Sequence, residues 1–589
     1  MLQQIVLRDP AIAQWLTFSD PVDVFVADRA ADVLPVLRAV ERRVQKEGLY
    51  AAGFVTYEAA AGFDQSLVTH EPGRCPLICF GLFAEGRISD EPELQKSGSR
   101  HIAQWHMQEG SDRYKKKIEH IKALIEAGLT YQINYTVRQT AAEIENAQSL
   151  FWQIAADAPY AAFIDCDEFS VVSASPELFF RREKDLLTCK PMKGTSRRGL
   201  TAEQDIERRD TLYRSAKNRA ENVMILDMVR NDMGRIADSG SVTVAEQYAI
   251  EKYPTVWQMT STVTAATSAS MAEIFTALFP SASVTGAPKV SSMRIIEELE
   301  ESPRGIYTGA IGYFGPDNRA QFNVAIRTAL VDKTEDSATY GVGGGIVWDS
   351  DPVDEYDECL AKSAVLTATE VASEFALLET LLWTPNTGYV LLGDHLDRLV
   401  QSADYFQFRV DRPAIENALQ NLAGTFSVQR RKIRLVSQRG GDFSVTHSVV
   451  SATDFRAPRS IVFAAEPIDV DDVFLYHKTT HRTVYDKALA GASAADDVLL
   501  WNSDGYITET SIANVAVRFD GELCTPPTSD GLLNGTYRNW LLQNGMIHER
   551  SIHFDELNDG HELLLFNSVR GQYLAKLSLQ AQEQSARDI

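Results

Sequence analysis

"GVGGGIVWDSD", residues 341–351, is followed closely by "DEYDECLAKS", residues 354–363, and the two stretches read as different kinds of structure. The first is an apolar, glycine-rich run in which three glycines, Gly343, Gly344 and Gly345, follow a strand and leave bare backbone amides open to the close approach of a carboxylate. The second is polar and helical, with Glu355 and Glu358 three apart on one face and Lys362 four beyond Glu358. A strand, a glycine-rich turn and a helix in that order predict a chain of mixed fold, α+β or α/β. Outward from here, apolar runs with Gly-rich turns alternate with helical patterns throughout.

The chain has 589 residues, 44% hydrophobic and 23% charged, which predicts folded globular structure divided into about four compact units, or fewer if the domains are large. A net charge of -24 argues against nucleic acid or an anionic membrane as partner, since the long-range field would repel both. Small anionic substrates stay possible if local cations or a metal hold them. The start lacks a basic segment followed by an apolar run, so a cytoplasmic protein is expected. Six cysteines are too sparse for a disulfide framework. Cys75 and Cys79 read as core residues, and no zinc site is expected. The polar stretch 86–100 reads as a surface loop.

Residues 355–376 read as a helix running into a strand that begins FALLET, and the motif content changes there. The expected domains are therefore 1–370 and 373–589, joined directly near 372. No histidine occurs from 121 to 394, whereas seven follow. Proton transfer in the first half must then use carboxylates, lysine, water or substrate.

Several first-half features suggest one anion site. KNRAENVMILDMVRNDMGRI (217–236) has helical spacing with Glu221 on its polar side. Hard oxygen ligands from this helix and from the Glu355/Glu358 helix suit Mg2+ when a substrate supplies the remaining ligands. Arg327, ending the apolar strand FNVAIRT, is a natural carboxylate clamp. KPMKGTSRRG (190–199) puts an amine, Lys193, before an apparent Gly-Thr turn. The pattern predicts a dicarboxylate bound through Mg2+, arginine and backbone amides.

Together with SPELFF (175–180), PSASVTGAPK (280–289) and RGIYTGAIGY (304–313), these motifs resemble the chorismate-utilising family of anthranilate, isochorismate, salicylate and aminodeoxychorismate synthases. The resemblance covers roughly residues 1–370, weakly before 105, and implies a two-sheet sandwich with flanking helices. It implies Glu221 and Glu358 as Mg2+ ligands with Glu355 behind them. It also implies Tyr307, Arg327, Ser283, Lys362 and the amides of Gly343, Gly344 and Gly345, with Gly194 and Thr195, around chorismate. Glu177 would protonate the departing 4-hydroxyl. Gln132 stands where water-activating relatives carry lysine, and Lys193, where anthranilate formers commonly carry alanine, resembles the aminodeoxychorismate formers. Lys193 would then attack C2 before ammonia adds at C4. Gln258 replaces a histidine of the anthranilate formers, so aromatisation is not expected in this half.

In the second half, HLDRL (395–399), LYHKTTHR (475–482), TETSIANVAV (508–517), LLNGTYRNW (532–540) and FNSVRG (566–571) resemble the fold-type IV pyridoxal-phosphate family of transaminases and aminodeoxychorismate lyase. The resemblance implies Lys478 as the cofactor-bearing lysine and Glu509 as partner of the pyridine nitrogen. It implies Arg398, Gly535, Thr536 and Ser568 at the phosphate. The usual opening motif is shortened, with Glu379 and Thr380 retained. The combined expectation is synthesis of 4-aminobenzoate, the folate precursor, from chorismate. Ammonia would come from a separate glutamine amidotransferase, with a homodimer through the second half possible. The alternatives are an anthranilate synthase fused to a transaminase, and a silent chorismate- or cofactor-binding regulator.

Overall fold

The computed structural model describes residues 2–95, 103–144, 146–156, 158–366, 375–450, 458–492 and 495–578. The chain forms two compact units, one of Met1–Ser196 with Thr211–Val371, the other of Arg197–Asp210 with Ala372–Ile589. The expected junction near 372 lies outside the described residues.

Among the described residues the first unit contains two ten-stranded sheets. The first includes the neighbouring strands Gln132–Ala142 and Ser337–Ile346, and the second includes Leu178–Glu183, Ala320–Val324 and Ala310–Phe314. Ile5, Ile164 and Val171 of one sheet meet Phe54, Phe83 and Ile311 of the other in a common apolar layer. Helices cover both outer faces. Ala30–Glu47, Ala216–Gly234 and Met271–Leu278 bury Val33, Leu37, Ile225, Val229 and Phe275 against the second sheet. Ser111–Glu126, Ala147–Ile154 and Pro352–Ser363 bury Ile118, Phe151 and Cys359 against the first. Coverage on both faces explains why Gln132–Ala142 is buried along nearly its whole length instead of alternating. This is the sandwich the motifs implied.

The second unit has a four-stranded antiparallel sheet, with Leu377–Thr384 beside Arg431–Ser437, and an eight-stranded mixed sheet. The helix Leu392–Phe406 sets Leu396, Leu399 and Ala403 into the core over the smaller sheet. No helix among the described residues is long and apolar enough to cross a membrane.

Four local readings need correction. Within the expected loop 86–100, Arg87–Ser89 is a strand paired with Trp15, Leu16 and Thr17; residues 96–100 lie outside the described residues. The three glycines lie inside the strand Ser337–Ile346, paired with Asn134, Tyr135 and Thr136, so they clear space for side chains more than they form a loop. The Gly-Thr step after Lys193 is likewise strand, Met192–Arg197, kinked by Gly194 at φ 95. The helix expected to run to 376 ends at Ser363 and tightens into a single turn at Ala364–Leu366. The Ser363 hydroxyl there donates to the Cys359 and Leu360 carbonyls, competing for the acceptors that would continue the helix.

Candidate active sites

In the first unit the amine of Lys193 faces the strand of glycines. A Cβ placed on Gly345 would lie 2.3 Å from Lys193 Nζ and 2.8 Å from Gln132 Nε2. One on Gly344 would lie 3.0 Å from Glu355 Oε2. Glycine at 345 leaves room for the amine and the amide to converge, and glycine at 344 leaves room for the Glu355 carboxylate. Burial lowers the Lys193 pKa; Glu221, Glu358 and Glu177 oppose that, and Lys362 reinforces it. Both polar atoms of the Gln132 side chain are buried without a hydrogen-bond partner among the described residues. Such a group costs free energy unless something binds to it, which marks a ligand-facing position.

Glu177 is buried and accepts a hydrogen bond from the Ser283 hydroxyl at 2.6 Å. Burial pushes its carboxyl up to about 7, with Ser283 and the Lys193 charge opposing. A proton donor near neutrality, the requirement placed on this residue by its motif, is thereby available. Arg327 sits at φ 51, an uncommon backbone position for a side-chain-bearing residue, and its guanidinium has no hydrogen bond or ion pair among the described residues. Tyr307 packs its ring under Arg138, and its Cδ1 would lie 2.2 Å from a Cβ on Gly341. Lys362 is bound to Glu358 at 2.7 Å and to the Gly343 carbonyl at 2.8 Å.

The carboxylates do not form a closed metal cage. Among the described residues no three His, Cys, Asp or Glu side chains gather as a metal cluster. Burial and the charge of Glu358 raise the Glu355 pKa, whereas Lys362 holds Glu358 low against its own burial. Two carboxylates acting on Lys193 together with a third crowded by like charge are a donor set suited to Mg2+ only if the substrate completes its coordination. The residues fit on that condition.

Sequence reading treated Gln258 only as a missing histidine. The structure gives it a positive role. Its Nε2 donates to the Gly194 carbonyl at 2.9 Å and its Oε1 accepts from Thr195 at 2.8 Å, pinning the strand next to Lys193. Asn222, on the Glu221 helix, donates to the Lys193 carbonyl at 3.4 Å and accepts from Ser261 at 2.6 Å. The signal in the sequence was an amide inside the apolar helix pattern of AENVMIL.

In the second unit the side-chain amine of Lys478 has no hydrogen bond or ion pair among the described residues. Burial pulls its ammonium down to about 8, aided by the Arg398 charge. Glu509 accepts from Tyr485 Oη at 2.8 Å, Asn514 Nδ2 at 3.1 Å and the Leu533 amide at 3.1 Å, and burial pushes it up to about 7. Gly535 caps the helix Thr536–Gln543, and a Cβ there would lie 2.1 Å from Asn514 Oδ1. Thr536 Oγ1 lies 3.2 Å from His395 Nε2. Ser568 donates to the Thr380 carbonyl at 3.4 Å.

Arg398 is held by Glu379 through Nε at 2.8 Å and Nη2 at 2.7 Å, with Nη1 on the Asn534 carbonyl at 3.3 Å. Burial works to raise Glu379, but Arg398 and His395 outweigh it and hold the carboxylate at about 2. The His395 bond to Glu379, 2.6 Å, and the Tyr485 bond to Glu509 were not foreseen, because their partners are distant in sequence. An unpartnered buried lysine, a helix N-terminus and a protonatable carboxyl suit an aldehyde, a phosphate and a pyridine nitrogen respectively. The residues fit pyridoxal phosphate.

A sandwich with a buried amine against a glycine strand, acted on by the charges of Glu221, Glu358 and Glu177, defines the class of the first unit. Residues 3–368, more than half of the chain, match the chorismate binding enzyme family, and the chain belongs to it. Residues 376–573 match the amino-transferase class IV family. Aminodeoxychorismate synthase component 1 of Bacillus subtilis is 38% identical over 268 residues, 45% of this chain and 57% of that protein. Aminodeoxychorismate synthase of Streptomyces pristinaespiralis is 40% identical over 268 residues, 37% of its length. Anthranilate synthase component 1 of Neisseria meningitidis is 37% identical over 270 residues, 55% of its length. The chain thus spans less than two thirds of each of these relatives. The crystal structure of anthranilate synthase component I from Streptococcus pneumoniae superimposes with a TM-score of 0.53 at 22% identity, covering 62% of this chain and 92% of that one, and so shares the sandwich fold.

Proposed function

We propose that the chain makes 4-aminobenzoate in two steps, amination of chorismate at C4 and then elimination of pyruvate. The observation that carries the first step is the convergence of Lys193 Nζ and Gln132 Nε2 on the space that Gly345 leaves open. An amine with a lowered pKa is a usable nucleophile. Lys193 attacks C2 of chorismate, the ring double bonds shift, and the 4-hydroxyl leaves as water with the proton of Glu177. Ammonia then adds at C4 and expels the Lys193 amine, giving 4-amino-4-deoxychorismate. Arg327, Tyr307 and Lys362, with the backbone around Gly343 and Thr195, would hold the carboxylates. Mg2+ held by Glu221 and Glu358, with Glu355 behind them, would neutralise substrate charge.

The second unit would complete the aromatic ring. Pyridoxal phosphate supplies an electron sink there. Lys478 would take the C4 proton as pyruvate leaves, and Glu509 would pair with the pyridine nitrogen. Arg398, the Gly535 and Thr536 amides and Ser568 would bind the phosphate. Because several relatives at the first unit are named component 1, a separate glutamine amidotransferase is the proposed ammonia source. Free ammonia should replace it.

Product analysis with chorismate, Mg2+, ammonia and pyridoxal phosphate tests this reading. Wild type should give 4-aminobenzoate, Lys478→Ala should accumulate 4-amino-4-deoxychorismate, and Lys193→Ala should make little of either. Release of anthranilate, or an unimpaired Lys193→Ala, would overturn it. Free glutamine sufficing without a partner would overturn the proposed ammonia source.

A further inference from the structure

Fourteen residues that precede the Glu221 helix in sequence, Arg197–Asp210, belong to the second compact unit. They are built into it through Arg198. Its Nε and Nη2 bind Asp205 Oδ1 and Oδ2, each at 2.7 Å, and both side chains are buried. Nη2 also donates to the Tyr405 carbonyl at 3.0 Å, and the guanidinium lies 4.2 Å from the centre of the Tyr405 ring. Tyr405 Oη returns a bond to the Gly199 carbonyl at 2.7 Å, and the Gly199 amide donates to Asp205 at 2.9 Å. A Cβ on Gly199 would lie 2.2 Å from the Asp205 nitrogen, so this turn admits glycine alone. Leu200 packs beside Leu475, Tyr476 and Tyr485.

The stack continues towards the cofactor lysine. On the Tyr405 ring lies His477, 4.4 Å between centroids, with Phe406 edge-on at 4.9 Å and Ser402 Oγ 3.0 Å from Nδ1. Burial draws His477 down to about 4, so a neutral ring lies under the Arg198–Tyr405 pair. His477 is the residue before Lys478. On the other side the Lys478 carbonyl accepts from the Leu378 amide at 3.0 Å, and Thr480 exchanges two bonds with Ala376 at 2.8 and 2.9 Å. Lys478 is therefore held between a strand start and a stacked histidine. The stacked side depends on a segment from far upstream in the sequence.

We propose that Arg197–Asp210 is a strap of the cofactor-binding unit and that Arg198, acting through Tyr405 and His477, is a positioning residue for Lys478. This rests on the reading of Lys478 as the lysine that carries pyridoxal phosphate. A cation over an aromatic face with its charge paired by Asp205 is a rigid contact, and it limits the rotamers open to Tyr405 and His477. Fixing His477 fixes the backbone from which the Lys478 side chain departs.

The test uses the full-length chain as wild type, Arg198→Gln, Tyr405→Leu and Tyr405→Phe. Each is stripped of cofactor and titrated with pyridoxal phosphate, following fluorescence for affinity and the visible band for its pH midpoint. Chorismate consumption with ammonia is the readout for the other unit. Arg198→Gln and Tyr405→Leu should weaken cofactor binding by about tenfold, or ~1.4 kcal/mol, and move the pH midpoint, with chorismate consumption retained. Tyr405→Phe, which keeps the ring, should stay close to wild type. Wild-type affinity and midpoint in both Arg198→Gln and Tyr405→Leu overturn the strap alone. A wild type that takes up no pyridoxal phosphate overturns the reading of Lys478 and the strap with it. Should Arg198→Gln lose chorismate consumption too, the Tyr405 pair decides, since it leaves Arg198 and Asp205 in place: equal affinities overturn the proposal, and weakening in Tyr405→Leu alone supports it.

Discussion

Ser283 donates its hydroxyl to Glu177 at 2.6 Å, the one hydrogen bond from a side chain, among the described residues, to a buried carboxyl whose pKa stands at about 7. This bond favours the ionised form, so its loss should raise the pKa further. In Ser283→Ala the alkaline limb of the pH–rate profile for chorismate amination should move to higher pH, because Glu177 acts in its protonated form. An unmoved limb would show that another group sets it.

Glu177 also predicts a pH dependence of stability. Its folded-state pKa of about 7 lies above its ordinary value of 4.5, so the folded chain holds this proton more tightly than the unfolded one. That contribution is full below about 4.5 and is lost as pH rises through about 7, with an upper bound of about 3 kcal/mol. Glu177→Gln should therefore gain stability relative to wild type between pH 4.5 and 7.5. Urea unfolding of both chains at the two pH values measures the difference, and parallel behaviour would contradict the assignment.

Gln258 ties the Gly194 carbonyl and the Thr195 hydroxyl together next to Lys193. Gln258→Leu should cost about 1–3 kcal/mol of stability by leaving these groups unpaired. Amination should fall while uptake of pyridoxal phosphate by the same chain is unchanged. Product assays and cofactor titration, run side by side, check both halves of the expectation.

The first unit contains a buried charge network that no motif suggested. Glu300 binds Arg304 through Nη2 at 2.7 Å and Nε at 3.0 Å, accepts from Thr136 at 2.8 and 2.9 Å, and faces Arg138 at 3.4 Å. Removing one partner of such a set strands the others. Glu300→Ala should destabilise the first unit by about 3–5 kcal/mol, read as a lower urea midpoint. A loss below about 1 kcal/mol would mean that water replaces the carboxylate.

Much of the first site was legible because its chemistry is carried by short runs. SPELFF, PMKGT and the Glu355/Glu358 helix each hold their reactive residue beside the glycine, proline or helical spacing that positions it. The second site was legible at Lys478 and Glu509 for the same reason. What was misread was local shape. The triple glycine and the Gly-Thr step looked like turns, since glycine favours turns. In fact both sit in strands: Gly344 and Gly345 make room for Glu355, Lys193 and Gln132, and Gly194 takes φ 95 beside Asn218. Ordinary glycine statistics favoured a loop; close packing across the site required a bare strand.

The amino-acid sequence by itself determined the two families, their order along the chain and nearly all the residues proposed for the candidate sites, because those depend on residue type and short spacing. The tertiary structure alone decided three things: that Gln258 and Asn222 hold the backbone around Lys193, that Glu379 and His395 hold Arg398, and that Arg197–Asp210 belongs with Lys478. The residues joined lie from 16 to nearly three hundred positions apart. Side-chain hydrogen bonds and ring stacks act over a few ångströms in space whatever the separation along the chain, so only the folded arrangement discloses them.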